Sequence, residues 1–236
     1  MWQTKTLGII GGMGPLATQY FYKKIIELTD ASCDQEHLDL IILNHASMPD
    51  RTDLILSGRT DELYEALLYD AKKLESLSVE AIAIPCNTSH LLVDRLQEEL
   101  SIPIINMIKE AVKDLNKEIE CVGILATDGT IKSGLYQKSC LEAGIKPYVP
   151  SPEKQELVMK IIYEGIKAGN EIDYNDVIKI EGELSANGCQ AAIMACTELS
   201  CFKDMYKLPD YYIDAMEVLA KRSIEACGKG VKRRIK

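Results

Sequence analysis

The chain states its pattern twice. The run LGIIG at Leu7 to Gly11 returns as CVGILA at Cys121 to Ala126, and AIAIPCNT at Ala81 to Thr88 returns as QAAIMACT at Gln190 to Thr197. IPIINMIKEAV from Ile102 returns as LPDYYIDAMEVLA from Leu208. Gly123 follows Gly8 by 115 residues, Cys196 follows Cys86 by 110 and Pro209 follows Pro103 by 106. Landmarks recurring in one order at nearly one spacing describe two copies of a unit of roughly 110 residues. Any fold for this chain must therefore be built from two similar halves.

Within each copy, strand-like and helix-like segments alternate. In the first, TLGIIG reads as a buried strand, Pro15 to Thr29 as a helix with proline in its first turn, and Leu38 to Leu43 as a second strand. Asp61 to Leu77 is an amphipathic helix, Val79 to Ile84 a strand, Leu91 to Leu100 a helix and Ile102 to Ile105 a short closing strand. Strands separated by helices of this length predict parallel βαβ units with right-handed crossovers. The expected fold is α/β: two pseudo-symmetric parallel-sheet domains, residues 1–106 with the C-terminal segment 212–236, and residues 107–211, with the active site in the cleft between them.

Composition narrows the partners. The 236 residues, 47% hydrophobic and 27% charged, are those of an ordinary globule. A formal charge of −9 opposes nucleic acid or an anionic membrane as partner, because both demand a positive footprint. No apolar stretch reaches the roughly 20 residues of a membrane helix, and the N-terminus has no secretory pattern, so a cytoplasmic protein is expected. The basic residues from Lys229 onward (Lys232, Arg233, Arg234, Lys236) read as a solvated, frayed terminus. Eight cysteines without a secretory signal read as reduced thiols, and their spacing matches no structural zinc signature.

Chemistry gathers at two strand-to-helix junctions. Ligands of parallel α/β sheets bind beyond the carboxyl ends of the strands, which is where Cys86 and Cys196 fall. A helix N-terminus after each thiol is expected to draw its pKa from about 8.5 toward neutrality. Two such groups facing one cleft suit 1,1-proton transfer at a stereocentre, one thiolate removing a proton and one thiol returning it to the other face. Asn87, Thr88 and Thr197, beside the thiols, suit an α-carboxylate or, alternatively, helix capping. Arg51 falls just after the second strand in a loop; its guanidinium either grips a carboxylate or is a solvated surface arginine. Lys167, in YEGIKAG, reads as an exposed helix lysine. His45 and His90 read as structural hydrogen-bonding residues, and Cys33, Cys121, Cys140, Cys189, Cys201 and Cys227 as packing or surface residues.

GGMGP (Gly11 to Pro15), PDR (Pro49 to Arg51), PCNTSH (Pro85 to His90) and ACTEL (Ala195 to Leu199) resemble the cofactor-independent aspartate/glutamate racemases over nearly the whole chain. The resemblance implies racemisation of an acidic amino acid without pyridoxal phosphate, commonly as a homodimer, with Cys86 and Cys196 as the acid/base pair. It further implies that Lys167 helps hold the side-chain carboxylate, that Glu198 orients the Cys196 thiol or the substrate ammonium, and that Thr127 donates to the α-carboxylate. Dedicated glutamate racemases carry D-S-G and C-T-H where this chain has Met13 and Glu198, which turns the expectation toward aspartate. Besides a two-lobed binding protein without catalysis, which would explain the cleft but leave the matched thiols idle, two other readings stand beside it. One is a cysteine-dependent decarboxylase or isomerase of a related diacid. The other is a nucleotide-binding protein, since Gly12, Gly14 and Ala17 fit G-x-G-x-x-A after a strand; that reading wants an acid at the end of the second strand, where Asn44 and His45 stand.

Overall fold

The structure, a computed structural model, describes residues 5–232. The apolar run Thr6–Gly11 forms β1, buried along almost its whole length. Burial of consecutive residues, rather than alternate ones, is what a parallel strand covered on both faces requires. β1 is the middle strand of a parallel sheet between β2 (Asp39–Asn44) and β3 (Ala81–Ala83). In the second half β4 (Cys121–Leu125) takes the same middle place between β5 (Lys146–Tyr148) and β6 (Ala191–Met194), and β7 (Tyr212–Asp214) adds beyond β6. The first half has only a remnant of that fourth strand. Ile104 forms an isolated parallel bridge with Ile82, through Ile82 N to Pro103 O and Ile105 N to Ile82 O, both 2.9 Å. The strand expected over Ile102–Ile105 is thus a single bridge.

The repeat extends to side-chain packing. A Cβ on Gly8 would come within 3.0 Å of Leu74 Cδ1, and one on Gly123 within 2.8 Å of Leu184 Cδ2. Each middle strand is bare at the point where the long helix of its own half lies across it. Those helices are α3 (Thr60–Ser76) and α9 (Tyr174–Ala186), and Leu184 follows Leu74 by 110 residues.

The first half also holds α1 (Pro15–Leu28), α2 (Arg51–Ser57) and α4 (Val93–Glu98), and ends in α5 (Met107–Lys113). The second holds α6 (Asp128–Ser133), α7 (Leu135–Glu142), α8 (Pro152–Lys160), continued by a π-helical segment Ile161–Lys167, and α10 (Thr197–Tyr206), and ends in α11 (Ala215–Ala226). The terminal helices are exchanged: α5 packs on α7, α11 packs on α1, and the two pack on each other. A central cluster (Leu7, Phe21, Met107, Ile124, Tyr136, Leu219) therefore draws on both sheets, with a separate outer cluster on the far side of each half. Burying the inner faces in one common core joins the halves.

One sequence boundary shifts. Residues 212–214, assigned with the C-terminal segment to the first unit, pair with β6 in the second sheet, because the ladder satisfies their backbone while Tyr212 enters the outer core there. The crossing begins at α11. The tail is also not frayed where it is described: Gly230 O accepts from Asp30 N at 2.8 Å, Lys232 N donates to Leu28 O at 2.8 Å, and Val231 bridges Thr29. Arg233, Arg234 and Lys236 lie outside the described residues. Among the described residues no helix is long and apolar enough to cross a membrane.

Candidate active site

The carboxyl ends of β1, β3, β4 and β6 open into one cleft enclosing about 300 Å³, lined by Met13, Asp50, Arg51, Thr52, Cys86, Asn87, Thr88, Thr127, Tyr163, Lys167, Cys196, Thr197 and Glu198. Every residue that the sequence nominated for the chemistry is in this lining. The junction thiols are buried, Cys86 at 5% and Cys196 at 7% exposure.

Their surroundings differ. Cys86 is followed by a 3₁₀ turn, Thr88–Leu92, rather than directly by an α-helix. Its Sγ lies 3.2 Å from the donor Ser89 Oγ, and that hydroxyl also reaches Met13 Sδ at 3.3 Å. Cys196 is the N-cap of α10, yet its Sγ–H donates to Glu198 Oε2 at 2.9 Å. Burial, and after it the Glu198 carboxylate, push the Cys196 thiol well above the usual range. The expected lowering by the helix N-terminus is therefore reversed here. A partial charge at a helix end is outweighed by loss of water and by a full negative charge in contact.

Arg51 is not in a loop. It opens α2, whose cap is Asp50 accepting from Asp53 N at 2.9 Å, and its Nη1 donates to Pro49 O at 3.0 Å. Burial works to lower the guanidinium pKa, but Cys86, Asp50 and Glu198 outweigh it and raise it. Arg51 Nε is buried without a partner among the described residues. Lys167 ends the π-helical segment as an exposed residue, as expected, yet its Nζ reaches the cleft, 4.0 Å from Glu198 Oε1 and 4.0 Å above the Tyr163 ring. Burial opposes its charge, and Glu198 together with Tyr163, Cys196 and Asp50 outweighs that loss and raises the pKa.

The small polar residues link the halves. Thr88 Oγ1 meets Thr130 Oγ1 at 2.8 Å and Thr127 Oγ1 at 3.3 Å. Thr127 also caps α6, accepting from Thr130 N at 3.4 Å. Thr197 Oγ1 lies 3.3 Å from Glu198 Oε2. Asn87 makes no capping bond; its Oδ1 accepts from Tyr136 OH and its Nδ2 is buried without a partner among the described residues. Thr52 and Tyr163 stand in no motif, and Asp50 lies inside PDR without a sequence-based role. Helical spacing from Lys167 is the one signal for Tyr163, whose OH reaches Thr52 Oγ1 at 3.4 Å.

Both histidines are framework. His90 Nδ1–H donates to Cys86 O at 2.9 Å, which leaves Nε2 to accept from Met107 N at 3.0 Å. The ring is held neutral in one tautomer, and burial lowers its pKa. It ties the Cys86 turn to α5. His45 Nδ1 meets Asp70 Oδ2 at 2.7 Å. Of the remaining cysteines, Cys33 is exposed and the others are buried. The Gly12 N–H, which a dinucleotide site would turn toward phosphate, is already taken by Thr18 Oγ1 at 2.8 Å. Among the described residues no group of three or more His, Cys, Asp or Glu is disposed to hold a metal ion.

The family model for Asp/Glu/hydantoin racemases matches residues 10–222. A broad-specificity amino-acid racemase of Bacillus subtilis is 30% identical over 224 residues, covering 92% of this chain and 96% of that protein. The Picrophilus torridus aspartate racemase superposes with a TM-score of 0.83 at 30% identity, covering 97% of this chain and 96% of that one. An aspartate racemase homologue from Pyrococcus horikoshii gives a TM-score of 0.78 at 29% identity, covering 95% and 99%. The repeat, the cleft with its two thiols and these likenesses agree: the chain is an amino-acid racemase belonging to the Asp/Glu/hydantoin racemase family.

Proposed function

We propose that this enzyme racemises aspartate by two-base proton transfer between Cys86 and Cys196. The observation that carries the reading is the unlike setting of two equivalent thiols in one cleft. Cys86 is met by a hydroxyl donor and by the Arg51 cation, whereas Cys196 keeps its proton and donates a hydrogen bond to the Glu198 carboxylate. One sulfur is thus placed to carry negative charge and the other to carry a proton. Cys86 removes the Cα proton from one face, Cys196 supplies a proton to the other, and the reverse direction exchanges the roles.

The charged groups suit a diacid. Asn87 Nδ2 and the hydroxyls of Thr88, Thr127 and Thr197 receive the α-carboxylate, and Arg51 with Lys167 receives the side-chain carboxylate. The Cα–H of an amino acid is a weak acid, so developing carbanion charge needs oriented donors in a cleft poor in water, where preorganised electrostatics acts most strongly. The route uses thiols alone, without pyridoxal phosphate. Likeness to the Picrophilus torridus aspartate racemase favours aspartate over glutamate.

A wider substrate range is the second reading. A vestibule formed by Gly12, Gly14, Pro15, Leu16, Ala17 and Ala46 meets the cleft at Arg51, Lys167 and Glu198, and the Bacillus subtilis relative is named for broad specificity. Incubation with L-aspartate, L-glutamate and neutral L-amino acids in deuterated water, followed by chiral analysis, separates the two. Aspartate should racemise fastest; a neutral amino acid that outruns it would overturn the assignment of the cations to a side-chain carboxylate.

A further inference from the structure

Tyr136 lies outside every motif and is fully buried in α7 of the second half, yet its hydroxyl crosses to the first half and meets Asn87 Oδ1 at 2.5 Å. That separation belongs to an O–H···O bond; an amide N–H to a phenol oxygen would stand nearer ~2.9 Å. Tyr136 is therefore the donor, Oδ1 the acceptor, and the carboxamide has one orientation. Its Nδ2 is the atom left over. Asn87 is 3% exposed and lines the cleft, and that nitrogen has no partner among the described residues. An orphaned buried donor costs free energy, so an amide free to flip would not keep it.

The repeat provides an internal control. Tyr136 follows Phe21 by 115 residues, the spacing of Gly123 from Gly8, and both side chains are fully buried in the central core. The position asks for an aromatic ring, and phenylalanine satisfies it in the first half. The hydroxyl is present only in the copy where an asparagine follows the opposing catalytic-loop cysteine; Cys196 is followed by Thr197 instead. Packing explains the ring and leaves the oxygen unexplained. Burial also raises the Tyr136 phenol well above its usual pKa, which keeps it a donor.

We propose that Tyr136 is a positioning residue that locks the Asn87 carboxamide with Nδ2 toward the substrate α-carboxylate. The proposal rests on the binding role given to Asn87 above. The test uses the full-length enzyme as wild type, Tyr136→Phe, Asn87→Ala and the double variant. It measures KM and kcat for L-aspartate, the melting temperature, and calorimetric binding of racemic aspartate, which is already at equilibrium and so releases no heat of turnover. Tyr136→Phe should raise KM and the dissociation constant about tenfold, the scale of one hydrogen bond to a charged group, with a smaller change in kcat. Its melting temperature should fall by no more than several degrees, the scale of one unpaired buried acceptor, since the ring itself is tolerated as it is at Phe21. Adding Tyr136→Phe to Asn87→Ala should have no further effect on binding, because the phenol then has no amide to orient. An unchanged KM in Tyr136→Phe, or effects of the two changes that add, would overturn the proposal. Absence of aspartate turnover in the wild type would sink the assigned activity, and the binding comparison would still decide the part played by Tyr136.

Discussion

Cys196 Sγ stands 2.9 Å from Glu198 Oε2, with Lys167 Nζ 4.0 Å from the other carboxylate oxygen. Burial, and after it this neighbour two residues on, keeps the thiol at this wall of the cleft protonated. Equivalent cysteines become unlike through what touches them.

Replacement of Glu198 by glutamine removes the negative charge that, after burial, most raises the Cys196 thiol. The alkaline limb of the kcat/KM profile reports loss of the second proton from the cysteine pair, so it should move to lower pH. The shift must be the same in both directions, since the equilibrium constant of a racemisation is unity. An alkaline limb that stays in place would separate Glu198 from the acid/base chemistry.

Cys86→Ala and Cys196→Ala should each reduce racemisation by about a thousandfold or more while leaving the melting temperature close to wild type, because each removes the group serving one face. In deuterated water the wild-type product enantiomer should gain deuterium at Cα in the first turnover, with recovered substrate labelled more slowly. Equal early labelling of both enantiomers would point to a single shared base. Thiol alkylation should abolish activity, and hydroxylamine should not.

Arg51→Ala should weaken aspartate by about 2 kcal/mol or more, the scale for losing one member of a desolvated charge pair. Arg51 is half-buried beside Cys86, and its Nε is buried with no hydrogen-bond partner among the described residues. Steady-state kinetics with both enantiomers checks this; unchanged KM and kcat would return Arg51 to a framework role at the start of α2.

His90 links stability to pH. Burial holds its folded pKa below the unfolded value of about 6.5, so the folded protein favours the neutral ring and the unfolded chain binds the extra proton. The stabilisation is present above that value and declines as pH falls below it. His90→Gln should lower the melting temperature at pH 8, since the bonds to Cys86 O and Met107 N are disturbed, and the gap to wild type should narrow toward pH 5. A gap constant across that range would mean that the ring is not the group being titrated.

Much of this protein is legible in one dimension. Strand and helix periods, the recurrence of glycine, cysteine and proline landmarks and the small polar residues after each thiol are local properties, and they place Cys86 and Cys196 at equivalent junctions without any coordinates. What no local pattern carries is which halves each segment serves and what touches each thiol. β7 stays with the second sheet while α11 crosses to α1, because the ladder and the shared apolar core are satisfied separately. The state of Cys196 depends on the rotamer of Glu198, the reach of Lys167 Nζ into the cleft depends on a π-helical segment, and the orientation of Asn87 depends on a hydroxyl 49 residues away. Proton affinity and donor direction arise from contacts and excluded water, and these exist only once the two halves have closed over one cleft.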